Sequence, residues 1–109
     1  MNDALADLTV VELSRTAAAA FAGRLCADAG AQVVLIEPPE GHPLRHEGPF
    51  LRDEPNIETS PAHLHTNAGK RSVTLDLESQ AEALAGLLQR ADVFLTDLPA
   101  HVLDPRGLS

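Results

Sequence analysis

Residues 8–37, LTVVELSRTAAAAFAGRLCADAGAQVVLIE, decide the fold of this chain. The runs 8–13 and 32–36 are short, apolar and β-branched, as is typical of strands buried in a parallel sheet. Between them, residues 17–29 place apolar side chains at helical spacing, and Gly30 follows as a helix C-cap. The stretch therefore predicts a strand–helix–strand unit.

The first predicted helix has one apolar face, which consists of Ala18, Phe21, Ala22, Leu25, Cys26 and Ala29. We expect this face to pack on the sheet or on downstream partners, with Cys26 as a small core residue and not a nucleophile. Arg24 and Asp28 lie on the opposite side.

A second unit of the same outline follows. Residues 72–77 alternate as a third strand, Ser79 and Glu82 form a capping box that begins a helix, and residues 91–96 form a fourth strand. The apolar face of that helix carries Leu84, Leu87, Leu88 and Ala91. Strand one is expected to lie between strands two and four.

Residues 37–71 join the two units. Six prolines exclude a long regular element there, apart from one helical turn at residues 61–65. A loop of this length in a small domain is usually functional or packs on another domain or chain. The predicted fold class is α/β, a Rossmann-like parallel sheet from two βαβ units joined by a long Pro-rich loop.

The charge balance of the 109 residues argues against two classes of partner. Eight basic and sixteen acidic side chains give a net charge of −8, whereas nucleic acids and anionic membranes bind cationic surfaces. No apolar run approaches the length of a membrane span, and the acidic N-terminus does not resemble a signal peptide. The single cysteine excludes an internal disulfide, so we expect a cytoplasmic protein of one domain.

Ligands of open parallel sheets bind beyond the carboxyl ends of the strands. The loops after strands one and four, residues 14–18 and 97–100, are expected to face each other there, beside a helix N-terminus suited to an anion. The first loop lacks the glycines of a dinucleotide-binding fingerprint, so NAD is disfavoured. Glu37 is interpreted as a surface acid at a strand end.

Two further features concern binding and catalysis. Lys70 and Arg71 are adjacent in a chain with one lysine, which favours a phosphate contact, although the surrounding residues do not form a P-loop. Five histidines lack the partners of a metal site, and the four in the long loop are expected to be exposed. No Ser-His-Asp or paired-carboxylate arrangement is predicted, so no residue is assigned a catalytic role.

Seven segments follow one another along the chain: residues 8–14, 27–39, 43–45, 48–50, 67–77, 91–93 and 103–104. In this order they resemble the N-terminal part of class III CoA-transferases. The resemblance runs from residue 5 to residue 108 and is sharpest at 67–77, NAGKRSVTLDL. The family includes formyl-CoA transferase and carnitine CoA-transferase, with α-methylacyl-CoA racemase as a relative. Residues 1–109 are therefore expected to form the N-terminal CoA-binding segment of a large domain.

The resemblance implies a Rossmann-like domain that binds the nucleotide of coenzyme A or acyl-CoA. It also implies subunits interlocked as a homodimer, or a hetero-oligomer. In such enzymes an aspartate carries the acyl group as a mixed anhydride, which suits a carboxylate nucleophile. That aspartate matches none of Asp92, Asp97 and Asp104, so the catalytic remainder is expected outside this chain. The implied CoA contacts are Ala17, Ala18, Pro38, Lys70, Arg71, Asp97 and Leu98.

Two ligand-facing loops depart from the family pattern. Residues 18–20 are Ala-Ala-Ala where Ala-Gly-Pro is usual, and Asp97 and Leu98 stand where Asn-Phe is frequent. A CoA-binding segment therefore has two alternatives. One is a non-catalytic, degenerate half that packs on an active partner, and the other is an α/β interaction domain whose Pro-rich loop wraps a partner.

Overall fold

The computed structural model describes residues 4–47 and 60–106. In chain order its elements are β1 (Thr9–Leu13), α1 (Ala17–Asp28), β2 (Gln32–Glu37), a 3-10 helix (Pro43–His46), α2 (Pro61–Thr66), β3 (Arg71–Thr74), α3 (Leu77–Gln89), β4 (Val93–Thr96), α4 (Ala100–Leu103) and a 3-10 turn (Asp104–Arg106). The predicted strands, the two long helices and the helical turn at 61–65 are confirmed. No helix of the described residues has the length and apolar character needed to cross a membrane.

Within the described residues, four strands form one parallel sheet in the order β3-β2-β1-β4. Glu12 of β1 lies beside Leu35 of β2 on one side and Leu95 of β4 on the other. β3 extends the sheet beyond β2, with Thr74 beside Glu37. The predicted Rossmann-like α/β sheet, with strand one between strands two and four, is confirmed. We refer to the edge at which all four strands end as the carboxyl edge.

One face of the sheet is apolar. Successive strand residues point to opposite faces, and the side chains that face α3 form a buried cluster. Its members are Val11, Leu13, Ile36, Leu75, Leu84, Leu98 and Leu103. Leu84 is fully buried, and Leu87, Leu88 and Ala91 pack around the cluster as the helical spacing predicts. This face supplies most of the hydrophobic stabilisation.

The face of the sheet toward α1 is different, and here the predicted helix face is wrong for Phe21 and Leu25, although Cys26 packs against a buried cluster as expected. Ala20 and Gly23 are the buried residues of α1, whereas Phe21 and Leu25 are 46% and 53% exposed. Small residues face the sheet because β1 places Glu12 there. A Cβ atom at position 23 would lie 1.8 Å from Glu12 Oε1, so only glycine fits above this carboxylate.

Helix α3 begins before the predicted cap. Asp76 is the N-cap: its Oδ1 accepts from the Glu78 amide at 3.0 Å, and its Oδ2 from the Ser79 hydroxyl at 3.2 Å. Gln80 has the non-helical angles φ −125 and ψ 24, where two helical stretches meet in a kink. The predicted capping box at Ser79 is therefore wrong. Strand three ends at Thr74 and not at residue 77, because Asp76 accepts from the free amide of Glu78 and begins the helix.

Candidate functional site

A pocket of about 440 Å³ opens at the carboxyl edge, among residues that follow β1, β2 and β3. Its apolar lining includes Leu13, Ile36, Leu75 and Leu77. Arg15 lies at its rim and also lines a neighbouring hollow of about 200 Å³. The pocket occupies the position at which open parallel sheets bind ligands.

The loop between β1 and α1 holds a carboxylate supplied by the loop after β4. Asp97 Oδ2 accepts from the Thr16 amide at 2.8 Å and from the Thr16 hydroxyl at 2.6 Å. The Arg15 amide donates to both carboxylate oxygens, at 3.0 and 3.1 Å. Burial alone would raise the pKa of Asp97, but these hydrogen bonds lower it below its ordinary value, so the group is ionised at neutral pH.

Glu37, at the end of β2, is buried and not a surface acid as predicted. The His42 amide donates to its Oε1 at 2.8 Å, and the Arg45 guanidinium contacts both carboxylate oxygens, at 2.5 and 3.1 Å. The Ser72 hydroxyl donates to Oε2. Burial acts to raise the pKa of Glu37, but the bonds from Arg45, Ser72 and His42 outweigh it and lower the pKa to about 2. These contacts attach residues 42–45, which border the pocket, to the sheet.

His42 and His63 are buried, so the expectation that the loop histidines are exposed is wrong for these two. His42 Nδ1 accepts from the Leu44 amide at 3.1 Å, which leaves the proton on Nε2. Nε2 lies 3.0 Å from the Ser14 hydroxyl oxygen and therefore donates to it. Burial lowers the pKa of His42 to about 4, so the ring is neutral at physiological pH.

Ser14 connects this histidine to a buried acid. Its hydroxyl donates to Glu12 Oε2 at 2.5 Å while it accepts from His42. His42 thus donates to Ser14, and Ser14 donates to Glu12. A nucleophilic serine needs the reverse direction, with its proton passing to the histidine. The three residues therefore form a hydrogen-bond chain and not a hydrolytic triad.

The Lys70 ammonium is buried at the other end of Glu12. It lies 2.7 Å from Glu12 Oε1, and the exposed fractions of the two side chains are 1% and 0%. Lys70 Nζ donates to Ala20 O at 2.8 Å and to Asn67 Oδ1 at 2.6 Å. Glu12 Oε1 accepts no well-aligned hydrogen bond, so its attraction to the ammonium is chiefly ionic. Burial lowers the pKa of Lys70, and Glu12 opposes this shift.

The structure divides the seven residues of the predicted CoA site into three groups. Ala17, Ala18, Pro38 and Asp97 lie at the carboxyl edge, with Pro38 in the pocket wall. Lys70 and Arg71 lie at the start of β3, where Arg71 is exposed and level with Val34 in the middle of β2. The Leu98 side chain is buried in the apolar cluster, so only its backbone is near the edge. Contact with CoA remains a prediction for each of them.

The roles of Glu12, Ser14, Gly23 and His42 in this buried network were not predicted from the sequence. One signal was present, since a single acid within the apolar strand 8–13 must be paired if the strand is buried on both faces. Lys70 is the only lysine that could pair with it. Among the described residues, no group of three or more His, Cys, Asp or Glu side chains could hold a metal ion.

An open parallel sheet with a pocket at its carboxyl edge defines a Rossmann-like α/β protein. Within that class, the chain belongs to CoA-transferase family III, whose family model matches residues 5–109.

Relatives and solved structures agree with this assignment. The chain is 37% identical over 91 residues to the succinyl-CoA:(R)-benzylsuccinate CoA-transferase subunit BbsE of Thauera aromatica, covering 82% of this chain and 22% of that protein. It is 37% identical over 101 residues to the cinnamoyl-CoA:phenyllactate CoA-transferase of Clostridium sporogenes, covering 91% and 24%. The crystal structure of a CAIB/BAIF family protein from Brucella suis superposes with a TM-score of 0.84 at 36% identity, covering 100% of this chain and 29% of that one. The chain thus spans about a quarter of the length of these proteins and corresponds to an N-terminal segment.

Proposed function

We propose that residues 1–109 form the CoA-binding segment of a class III CoA-transferase, with a CoA thioester as ligand. The observation that carries this proposal is the pocket at the carboxyl edge, in a chain that belongs to a CoA-transferase family. We assign no catalytic residue to the chain. A cytoplasmic location and an interlocked homodimer or hetero-oligomer are parts of the same proposal.

The lining of the pocket suits the adenine ring and the pantetheine arm of CoA better than its phosphates. Leu13, Ile36, Leu75 and Leu77 offer apolar surface to the adenine ring or the pantetheine arm. Arg15 is exposed at the rim and supplies a guanidinium for a phosphate. Such a local positive charge is needed because the net charge of the chain, −8, repels anions. The backbones of Ala17 and Ala18 and the ring of Pro38 complete the proposed contacts, while Arg71 offers a second cation further away.

Calorimetric titration of CoA into the full chain tests the proposal. We expect micromolar binding, and Arg15→Ala should weaken it about tenfold because a charge-assisted phosphate contact is lost. Arg90→Ala is the matched control, because it removes the same charge from the exposed C-cap of α3, outside the residues that line the pocket. Absence of binding at millimolar CoA by a folded chain would refute the proposal.

A non-catalytic half that packs on a partner is the second candidate. The observation that favours it is the exposed apolar surface of Phe21, Leu25 and Leu64, which are 46%, 53% and 55% exposed. Under this alternative the folded chain binds no CoA. It instead forms a stable complex with a catalytic CoA-transferase chain in sedimentation experiments, and replacing Phe21 and Leu25 by serine abolishes that complex.

A further inference from the structure

The loop between β1 and α1 contains the backbone amides that an anionic ligand would normally take. In open α/β sheets, the amides between the first strand and its helix face the ligand and often bind a phosphate. In this chain the amides of Arg15 and Thr16 already donate to Asp97. The Thr16 hydroxyl donates to the same carboxylate and also accepts from the Ala19 amide at 3.3 Å, which caps α1.

Asp97 thus stands where a ligand oxyanion would stand. Its two oxygens accept four hydrogen bonds from Arg15 and Thr16, at distances between 2.6 and 3.1 Å. A carboxylate held by this many donors stays ionised and does not readily leave. A phosphate approaching the loop finds its donors occupied and meets a like charge.

We propose that Asp97 is a specificity-determining residue that excludes phosphate groups from the β1–α1 loop, so that an uncharged part of the ligand lies over it. The inference rests on the proposed CoA site and refines it. The adenine ring or the pantetheine arm then covers the loop around Ala17 and Ala18, and the phosphates of CoA lie toward the guanidinium of Arg15. The same residue makes free phosphate a poor ligand for the loop.

Asp97→Asn tests this with little change of shape. An amide oxygen in the place of Oδ2 still accepts from the amides of Arg15 and Thr16, while the charge and the Arg15 bond to Oδ1 are lost. Asp92→Asn is the matched control: its carboxylate also accepts a β1 amide, that of Thr9 at 2.8 Å, but at the opposite edge of the sheet. Both variants change the net charge by one, so any difference between their affinities for CoA is due to the position of the carboxylate that was removed.

We expect Asp97→Asn to tighten CoA binding about fivefold to tenfold in calorimetry at low salt, because loss of the carboxylate charge removes its repulsion of the CoA phosphates in a site open to water. Asp92→Asn should change it less than about twofold, since screening weakens distant charges. Pantetheine, which has no phosphate, should bind the wild type and Asp97→Asn equally. Unchanged or weaker CoA binding by a folded Asp97→Asn protein would overturn the inference and leave the proposed CoA site standing.

A second measurement needs neither CoA nor a variant. Inorganic phosphate at millimolar concentration should leave the NMR amide signals of Arg15 and Thr16 in the wild type unmoved. Saturable shifts of these two signals would overturn the inference. If neither wild type nor variant binds CoA, the proposed function fails, and this titration still decides the role of Asp97. Should Asp97→Asn fail to fold, Asp97→Ser replaces it in the CoA titration.

Discussion

The two faces of the sheet bury side chains of opposite character. The face toward α3 is apolar, and its cluster includes Val11, Ile36 and Leu84. The face toward α1 buries Glu12 and Lys70 as an ion pair beside apolar neighbours. Val11 and Glu12 come from the same strand, since residues 10–13 alternate between the faces. The comparison shows that a near-continuous apolar strand can contribute to an apolar core on one face of the sheet and to a network of buried charges on the other.

The two faces are stabilised for different physical reasons. Apolar packing is non-directional, so the α3 face tolerates changes that keep volume and hydrophobicity. The α1 face depends on each charge keeping its partner, because an unpaired buried charge costs several kcal/mol. We therefore expect substitutions that leave a buried charge on the α1 face without its partner to cost several kcal/mol of stability. Three predictions examine this face, from the largest effect to the smallest.

Lys70→Met should destabilise the chain by about 3–5 kcal/mol, because it leaves the Glu12 carboxylate buried without its cation. The free energy of unfolding in urea measures this loss. Arg71→Met, which removes the neighbouring exposed cation, should stay within about 0.5 kcal/mol of the wild type. Adding Glu12→Gln to Lys70→Met should recover part of the loss. Equal stability of Lys70→Met and Arg71→Met would show that the buried pair is not a constraint.

The same face should be sensitive to acid. The pKa of His42 is about 4 in the folded chain, against 6.5 for an ordinary histidine, so the unfolded chain binds more protons between these values. The stability due to neutral His42 is complete above pH 6.5 and is lost as the pH falls toward 4. Between pH 7 and pH 4.5 the loss should be about 2–3 kcal/mol. Glu37, with its pKa lowered to about 2, adds a further loss below pH 4.5.

Urea unfolding at the two pH values measures the acid effect. His42→Gln should remove most of the difference between pH 7 and pH 4.5, since its side chain does not titrate. His65→Gln, an exposed histidine on α2, should retain it. A pH dependence that survives in His42→Gln would assign the acid sensitivity to other groups.

Two glycines should respond to alanine with opposite signs. At position 23 an added Cβ meets Glu12 Oε1 at 1.8 Å, so Gly23→Ala should cost about 1–3 kcal/mol as the carboxylate is displaced. At position 86, in α3, an added Cβ meets nothing within 4 Å. Gly86→Ala should therefore stabilise by about 0.5–1 kcal/mol through helix propensity. Thermal unfolding compares the two, and stabilisation by both changes would contradict the close approach of α1 to β1.

Much of the architecture was predictable from the sequence. The strands 8–13 and 32–36 and the helix between them follow from period and composition, which are local properties. The place of β1 between β2 and β4 also follows, because few topologies are open to βαβ units, whereas the place of β3 at the edge was not predicted. The start of α3 was mispredicted, since Asp76 and Ser79 are both good caps and the choice depends on where β3 leaves the sheet.

The candidate site was less predictable. Its location at the carboxyl edge follows from parallel topology. The roles of Lys70 and Glu37 could not be predicted, because a charged residue in a loop or at a strand end is expected to be solvent-exposed until its partner is known. Lys70 meets Glu12 across 58 positions of sequence, and Glu37 is buried only because Arg45 and Ser72 reach it.

By itself, the sequence determined the parallel α/β fold, the family resemblance and the acidic charge that limits the choice of ligand. The tertiary structure alone decided which polar residues are buried and which face the pocket. It pairs Lys70 with Glu12 inside the protein and places Asp97 on the amides of the β1–α1 loop. The physical reason is that helical and strand periods are set by neighbouring residues, whereas the environment of a charge is set by the distant groups packed around it.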